Sequence, residues 1–485
     1  MNPSRGSITV YLCLTLTILL SLFAAMLKSV RTAGGRVMIA SAMDQGLFSL
    51  FAQYDRELLE EYDLFYLDGG FGNGVLQMEL LYDTLCQDAV YSLNPYGHGD
   101  RNFFGADYIS GSITGYILAT DQTGNSFVRQ VSEYMKQSLG ISGIQQLSNI
   151  LTEQTNRIES QDYQKTQVTT GNPLAVYEQE KQSAEKAFLE SGEVLPPASG
   201  AVSLKNPIEV INDIRKMGIL GLVVSTPSEI SDYTIDSSTV SSGRNQNQGM
   251  GVLPRDESNS MDKLLLLEYI TEKFSNYTTP KQTEGLSYQV EYMIGGKNSD
   301  RDNLKSVVNR LIAIREAANL IHLYASPSKK AQADTMAATL ASAMLIPISQ
   351  PIISAALLAC WALAESILDI RELLDGGKIP LVKDEGTWQL SLENIPSLLE
   401  NLNSSRKSGD QGFDYSWYLR FLLFTKSQTH LVKSALDMVE YNINIKYPNK
   451  YFRIDNCVEN LEVECIWKLY SNTYTICRGY SYANA

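Results

Sequence analysis

The chain has 485 residues, 44% of them hydrophobic, enough to bury one large core or two to three ordinary ones. Acidic residues number 54 against 40 basic ones, for a formal charge of −14, and the only charges before Asp44 are the cations Arg5, Lys28, Arg31 and Arg36. The remainder is therefore more acidic still, which argues against a nucleic-acid-binding role, because such a surface repels phosphate backbones and anionic head groups alike.

The first predicted element is the uncharged run from Ile8 to Leu27. As a helix it is just long enough to cross a hydrocarbon core about 30 Å thick. Thr9, Thr15, Thr17 and Ser21 can bond back to carbonyls of the preceding turn and so do not exclude a membrane span. A cleaved signal has a shorter apolar region, about 7 to 15 residues. This one is longer and exits into Lys28 and Arg31, so a retained single-pass anchor over residues 1–36 is expected, with the lipid bilayer as its partner. Taken alone, the cations after the span favour a cytoplasmic C-terminal side.

The wording Arg5-Gly6-Ser7-Ile8-Thr9-Val10, the apolar run, then Arg31 and Gly34-Gly35-Arg36 resembles the N-terminus of TadE/TadG-like proteins of tight-adherence pilus systems. That resemblance implies an inner N-terminus, an extracytoplasmic body at the cell membrane, and pilin-like or secretion-system membrane proteins as partners. In the related type IV pilins a glycine precedes the cleaved bond and a glutamate lies at the fifth mature position. By that comparison Gly6 and Ser7 flank the candidate processing site, with Tyr11 where the glutamate would stand.

Beyond the anchor, Ala40, Met43, Leu47, Leu50, Tyr54 and Leu58 recur at helical spacing, so the helix is expected to continue as a stalk, with Gly34-Gly35 as a hinge. Asp68-Gly69-Gly70 breaks the pattern. A helix follows with Leu76, Leu80, Leu81, Leu85 and Ala89 inward, then a loop over residues 94–99. Residues 108–120 read as one or two strands and 127–139 as a helix. Residues 140–193 read as a solvated helical pair broken at Asn172-Pro173. The polar stretch 231–262 is the expected linker between a first region, 37–230, and a second, 263–485.

In the second region a helix is predicted over 262–274. Tyr288, Val290, Tyr292 and Ile294 alternate as a half-buried strand closed by Gly295-Gly296, and Asp300 is expected to cap a helix carrying Leu304, Val307, Val308 and Leu311. Residues 335–364 carry no charge, but Pro347 and Pro351 divide them, so a buried helical hairpin over 331–376 is expected rather than a second span. With residues 288–294, 300–315, 361–374 and 378–388 in this order, the chain resembles an uncharacterised bacterial membrane-anchored family, domain of unknown function 5702, which supplies no reaction. Helices at 415–424 and 429–441 lead to a terminal β-hairpin over 459–482. Its expected turn, Ser471-Asn472, would pair Trp467 with Ile476 and Val463 with Tyr480. The expected class is thus α+β and predominantly helical: one transmembrane helix running into a stalk, then a helical body with short antiparallel strands.

Residues capable of chemistry are few. His98, His322 and His430 lack metal-ligand spacing, and no nucleophile elbow, phosphate loop or dinucleotide fingerprint occurs. Cys13, Cys86 and Cys360 read as small buried hydrophobes. Cys457, Cys465 and Cys477 are candidates for a disulfide. Asp256-Glu257-Ser258-Asn259-Ser260 fits the wording of the metal-ion-dependent adhesion site of von Willebrand A domains, but no apolar strand delivers it, and a linker ending in a helix cap explains it better. No catalytic residue, metal or cofactor is expected. The expected function is a non-enzymatic, membrane-anchored component of a pilus-like or secretion assembly; the alternative is an extracytoplasmic envelope hydrolase or a metal-dependent adhesion module.

Overall fold

The structure, a computed structural model, describes residues 4–93, 105–160, 172–191, 206–251, 260–281, 285–343, 348–402, 412–448 and 451–482. The loop expected at 94–99, with His98, and the 256–259 motif lie outside them.

Strong helix formers without an internal proline make one 48-residue helix, α1 (Ser4–Phe51). Its hydroxyls bond back as expected, Thr15 to the Tyr11 carbonyl at 3.1 Å and Ser21 to that of Ile18 at 2.8 Å. Gly34-Gly35 is not a hinge, because the helix runs straight through it. Its use is close approach: a Cβ at Gly35 would meet both methyls of Leu469 at 2.8 Å.

In chain order there follow α2 (Arg56–Tyr62), β1 (Leu67–Asp68), α3 (Met78–Leu93), β2 (Ala106–Leu118) and α4 (Asp121–Ser160). Next come α5 (Pro173–Ser191), α6 (Pro207–Lys216), α7 (Leu220–Val223), α8 (Ser260–Lys273), α9 (Gln289–Gly295), α10 (Asp300–Ala325), α11 (Pro327–Ala343) and α12 (Gln350–Leu374). The series ends with α13 (Leu398–Asn401), α14 (Tyr415–Phe424), α15 (Gln428–Lys446), β3 (Cys457–Leu469) and β4 (Asn472–Ser481). These elements fall into two compact units, one of residues 1–134, 238–262 and 435–485, the other of 135–237 and 263–434. That division differs from the one read off the sequence. Part of the expected linker is tied into the first unit: Ser242 donates to Asp437 from its backbone N at 2.7 Å, and Met250 bridges to Tyr116.

The first unit is built on β3, which pairs antiparallel with β2 along one edge and with β1 and β4 along the other. Strand alternation puts Leu461, Val463, Cys465, Trp467 and Leu469 on one buried face. Against it pack Ile39, Met43, Leu47, Leu50 and Phe51 of α1 and Leu81, Leu85 and Ala89 of α3. Leu80, expected inward, is exposed. Burying each large apolar side chain contributes about 1.5–3 kcal/mol, so the five from α1 alone fasten the helix firmly before ordering costs. The hairpin turn sits one residue earlier than expected, at Tyr470-Ser471, with Tyr470 at φ 58 as a tight hairpin turn demands. Every partner moves by two, so Cys465 faces Ile476 and Trp467 faces Tyr474, and the buried and open faces are preserved.

The second unit surrounds α12, the apolar helix of the expected hairpin. Of its most apolar window 78% is buried, as in a core helix, and Ser354 donates to Asp334 of α11 at 2.6 Å. Residues 289–295 are helical, not the expected strand. The alternation misleads there because Gln289 and Glu291 are buried together with their apolar neighbours. Ser299 rather than Asp300 caps α10, while Asp300 lies buried in its first turn and accepts the Tyr288 N–H at 3.0 Å.

Candidate functional site

The feature with most functional content is α1, whose two halves have opposite surroundings. Along Ile8 to Leu27 every large apolar side chain is solvent-exposed, from 71% for Tyr11 to 49% for Leu27. None of the helix's most apolar window is buried, which sets it apart from α12. From Ile39 onward, one face of the same helix forms part of the first unit's core. Contiguous exposed apolar surface on this scale marks an interaction or membrane site.

Between the halves lies a collar of cations. Arg31 sits 5.4 Å from the Tyr470 ring and Arg36 5.1 Å from that of Tyr474. Farther along, Arg478 of β4 pairs with Asp44 at 2.9 Å. The tip of the β3–β4 hairpin thus meets α1 about one turn, or roughly 6 Å, beyond the end of the apolar run. Basic and aromatic side chains in one band are the composition of a membrane–water boundary. Gly6 and Ser7 lie within α1, in its first two turns.

The other candidates are placed as follows. His322 stacks on Trp388 at 5.2 Å, and His430 Nε2 bonds the Met293 carbonyl at 2.9 Å, both within the second unit. Among the described residues no group of three or more His, Cys, Asp or Glu could hold a metal. All six cysteines are thiols. The three pairings weighed from sequence are out of reach: Cys457 and Cys465 are eight residues apart on one strand, about 26 Å, and Cys477 faces Glu464 on the open side. What the sequence did not suggest is that Cys465 lies 3.6 Å from the Tyr82 hydroxyl of α3.

A cleft of about 730 Å³ in the first unit is lined by Asn73, Arg244, Glu440, Asn444, Tyr451 and Arg453 among others. Glu440, the one carboxylate among its lining residues, is held by Arg244 at 2.5 and 2.7 Å and by the Ile454 N–H at 2.9 Å. Those bonds occupy both its oxygens. The neighbouring carboxylate, Asp455, accepts from the same Arg244 Nη2 at 2.5 Å and is further held by the Asn247 N–H at 3.0 Å and by Arg453 at 2.7 Å, so both acids are engaged in ion pairs.

The second unit holds a fully buried charge network. Arg315 of α10 pairs with Asp369 of α12 at 3.0 Å, and Lys383 pairs with Asp369 at 2.6 Å and with Glu365. Arg315 also donates to the Pro380 and Leu381 carbonyls, at 2.9 and 2.7 Å, while Glu365 accepts the N–H groups of Gln389 and Leu390. Two acids and two bases cancel. Desolvation pushes the Asp369 carboxyl up, but the charges of Arg315 and Lys383 outweigh it and hold the group below its usual range. With side-chain exposure of 1% or less, the network ties α10 and α12 to residues 378–390.

No curated protein and no solved structure matches the chain. One family model does, described as a family of unknown function, DUF5702, over residues 198–469. This stretch takes in α6 to β3 and every member of the buried charge network. As it covers more than half of the sequence, the chain belongs to the DUF5702 family.

Proposed function

We propose that this protein is a membrane-anchored, non-enzymatic component of a pilus-like or secretion assembly, with its body outside the membrane. The observation that carries the reading is the division of α1: an apolar half whose large side chains are all exposed among the described residues, continuous with a half that is fixed in the first unit's core. A rigid, uninterrupted helix transmits position from bilayer to body, which an anchor joined by a flexible linker does not. The bare half suits lateral packing against similar helices, and the basic and aromatic collar suits the boundary.

The test uses native membranes. The protein should resist alkaline carbonate extraction, and external protease on right-side-out vesicles should degrade the body. A photo-crosslinking residue at Leu16 should give adducts with single-span, pilin-like membrane proteins. Soluble protein starting after Ala25 removes the anchor; adducts with lipid alone refute the assembly role.

A further inference from the structure

The cleft in the first unit has no part in the anchor reading. One face of α15, with Glu440, Asn444 and Ile445, lines it together with the turn at Asn73-Gly74 and residues 451–453. These pieces are fixed to one another by their own main chain. The Tyr451 N–H donates to the Gly72 carbonyl at 3.0 Å, and Asn73 bridges to Tyr451. The Asn444 side chain accepts the Phe452 N–H and donates to the Phe452 carbonyl, each at 2.9 Å. The cleft is therefore pre-formed, and it meets a ligand with side chains rather than with an open main-chain edge, which disfavours an extended peptide.

Charge within it cancels, because Arg244 and Arg453 are paired with the carboxylates of Glu440 and Asp455. Neither a free anion nor a cation finds a surplus of opposite charge there. What remains for a ligand is a set of neutral and satisfied groups with spare hydrogen-bonding capacity. Arg453 uses Nε and Nη2 on Asp455, which leaves Nη1 without a partner among the described residues. The Asn73 amide and the Tyr451 hydroxyl are likewise unbonded among the described residues, and both side chains are exposed, Tyr451 to 75%. Val240, Ile445 and Pro448 add apolar surface beside them.

An open aromatic ring, an amide, a guanidinium edge and apolar side chains with no net charge are complementary to a sugar. A pyranose ring has a C–H face to lie on the tyrosine and a rim of hydroxyls that both donate and accept. An acetamido substituent supplies a carbonyl for the guanidinium N–H and a methyl group for the apolar surface. At about 730 Å³ the cleft falls within the usual range for ligand sites, about 300–1,000 Å³, and has room for more than one ring. We propose that it binds a neutral oligosaccharide bearing acetamido groups, with Tyr451 stacked on one ring and Asn73 and Arg453 hydrogen-bonded to its substituents.

This inference does not depend on the anchor reading. It is tested on the purified full-length protein in a zwitterionic detergent, whose head group contains no sugar to compete. The probe is tri-N-acetylchitotriose, followed by isothermal titration calorimetry, with cellotriose as the comparison that lacks acetamido groups. Chitotriose should bind saturably and cellotriose should bind at least about fivefold more weakly. Tyr451→Ala should weaken chitotriose binding by about tenfold and Asn73→Ala by about fivefold, with the urea unfolding midpoint unchanged in both variants. No saturable heat with chitotriose, or binding that survives Tyr451→Ala unchanged, overturns the site. Cellotriose binding as tightly as chitotriose overturns the assignment of an acetamido-bearing ligand.

Discussion

Replacing Glu291 by Gln tests how burial sets the pH dependence of the second unit. Glu291 is fully buried on α9, and its Oε1 accepts the Tyr277 N–H and the Tyr415 hydroxyl, both at 2.9 Å, while Oε2 has no hydrogen-bond partner among the described residues. Desolvation, only partly offset by those bonds, pushes the carboxyl up to about 7 from its ordinary 4.5. The folded state therefore binds this proton more tightly than the unfolded chain. The stabilisation is complete below about pH 4.5, declines as pH rises toward 7 and is gone above it. Between two and three pK units at about 1.4 kcal/mol each amount to roughly 3 kcal/mol. Glutamine keeps a carbonyl for both donors and cannot ionise, so Glu291→Gln should gain about 2–3 kcal/mol over wild type at pH 8 and little or nothing at pH 4.5. The assay is urea unfolding across this range, followed by the fluorescence of Trp361, Trp388 and Trp417, which all lie in that unit. Parallel pH profiles for the two proteins would refute the reasoning.

Asp369→Ala, which leaves Arg315 buried without its carboxylate and Lys383 with Glu365 alone, should cost about 3–5 kcal/mol in the same unfolding assay, and adding Arg315→Met should recover part of it. Gly35→Val drives a side chain into Leu469 and should destabilise the first unit by about 1–3 kcal/mol, read as earlier loss of the Trp467 signal. Leu47→Ala should cost about 2–5 kcal/mol by the same probe, whereas Leu20→Ala, on the exposed half of the helix, should leave the body's stability unchanged. Intact mass of protein from native membranes should show α1 retained, beginning either at the initiator end or at Ser7; a start after Ala24 or Ala25 contradicts the anchor.

Where one face of an element was buried and the other open, the sequence revealed it. The residues Met43, Leu47 and Leu50 on α1, and the alternation of Leu461 to Leu469 on β3, fall in the core as their spacing requires. Residues 289–295 were misread because burial on all sides erases the difference between a two-residue and a 3.6-residue period. The hairpin turn was misplaced by one residue because neither Tyr470-Ser471 nor Ser471-Asn472 contains the glycine that would have marked it. Beyond reach altogether were contacts between distant segments. Nothing local joins Tyr82 to Cys465, or Arg315 to Asp369 and Lys383, and the segments 288–294, 300–315, 361–374 and 378–388 gave the family resemblance without revealing that a buried ionic clamp links three of them.

The first unit draws its central strand from residues 457–469 and its helical cover from residues 4–51 and 78–93. A ribosome delivers these pieces at opposite ends of its work. While residues 94–456 are being made, the inner face of α1 and the apolar face of α3 have no β3 to close on, so apolar surface stays uncovered through most of translation. The nascent chain is most prone to aggregation in that interval and most in need of a holding chaperone, which loses its purchase once β3 is inserted.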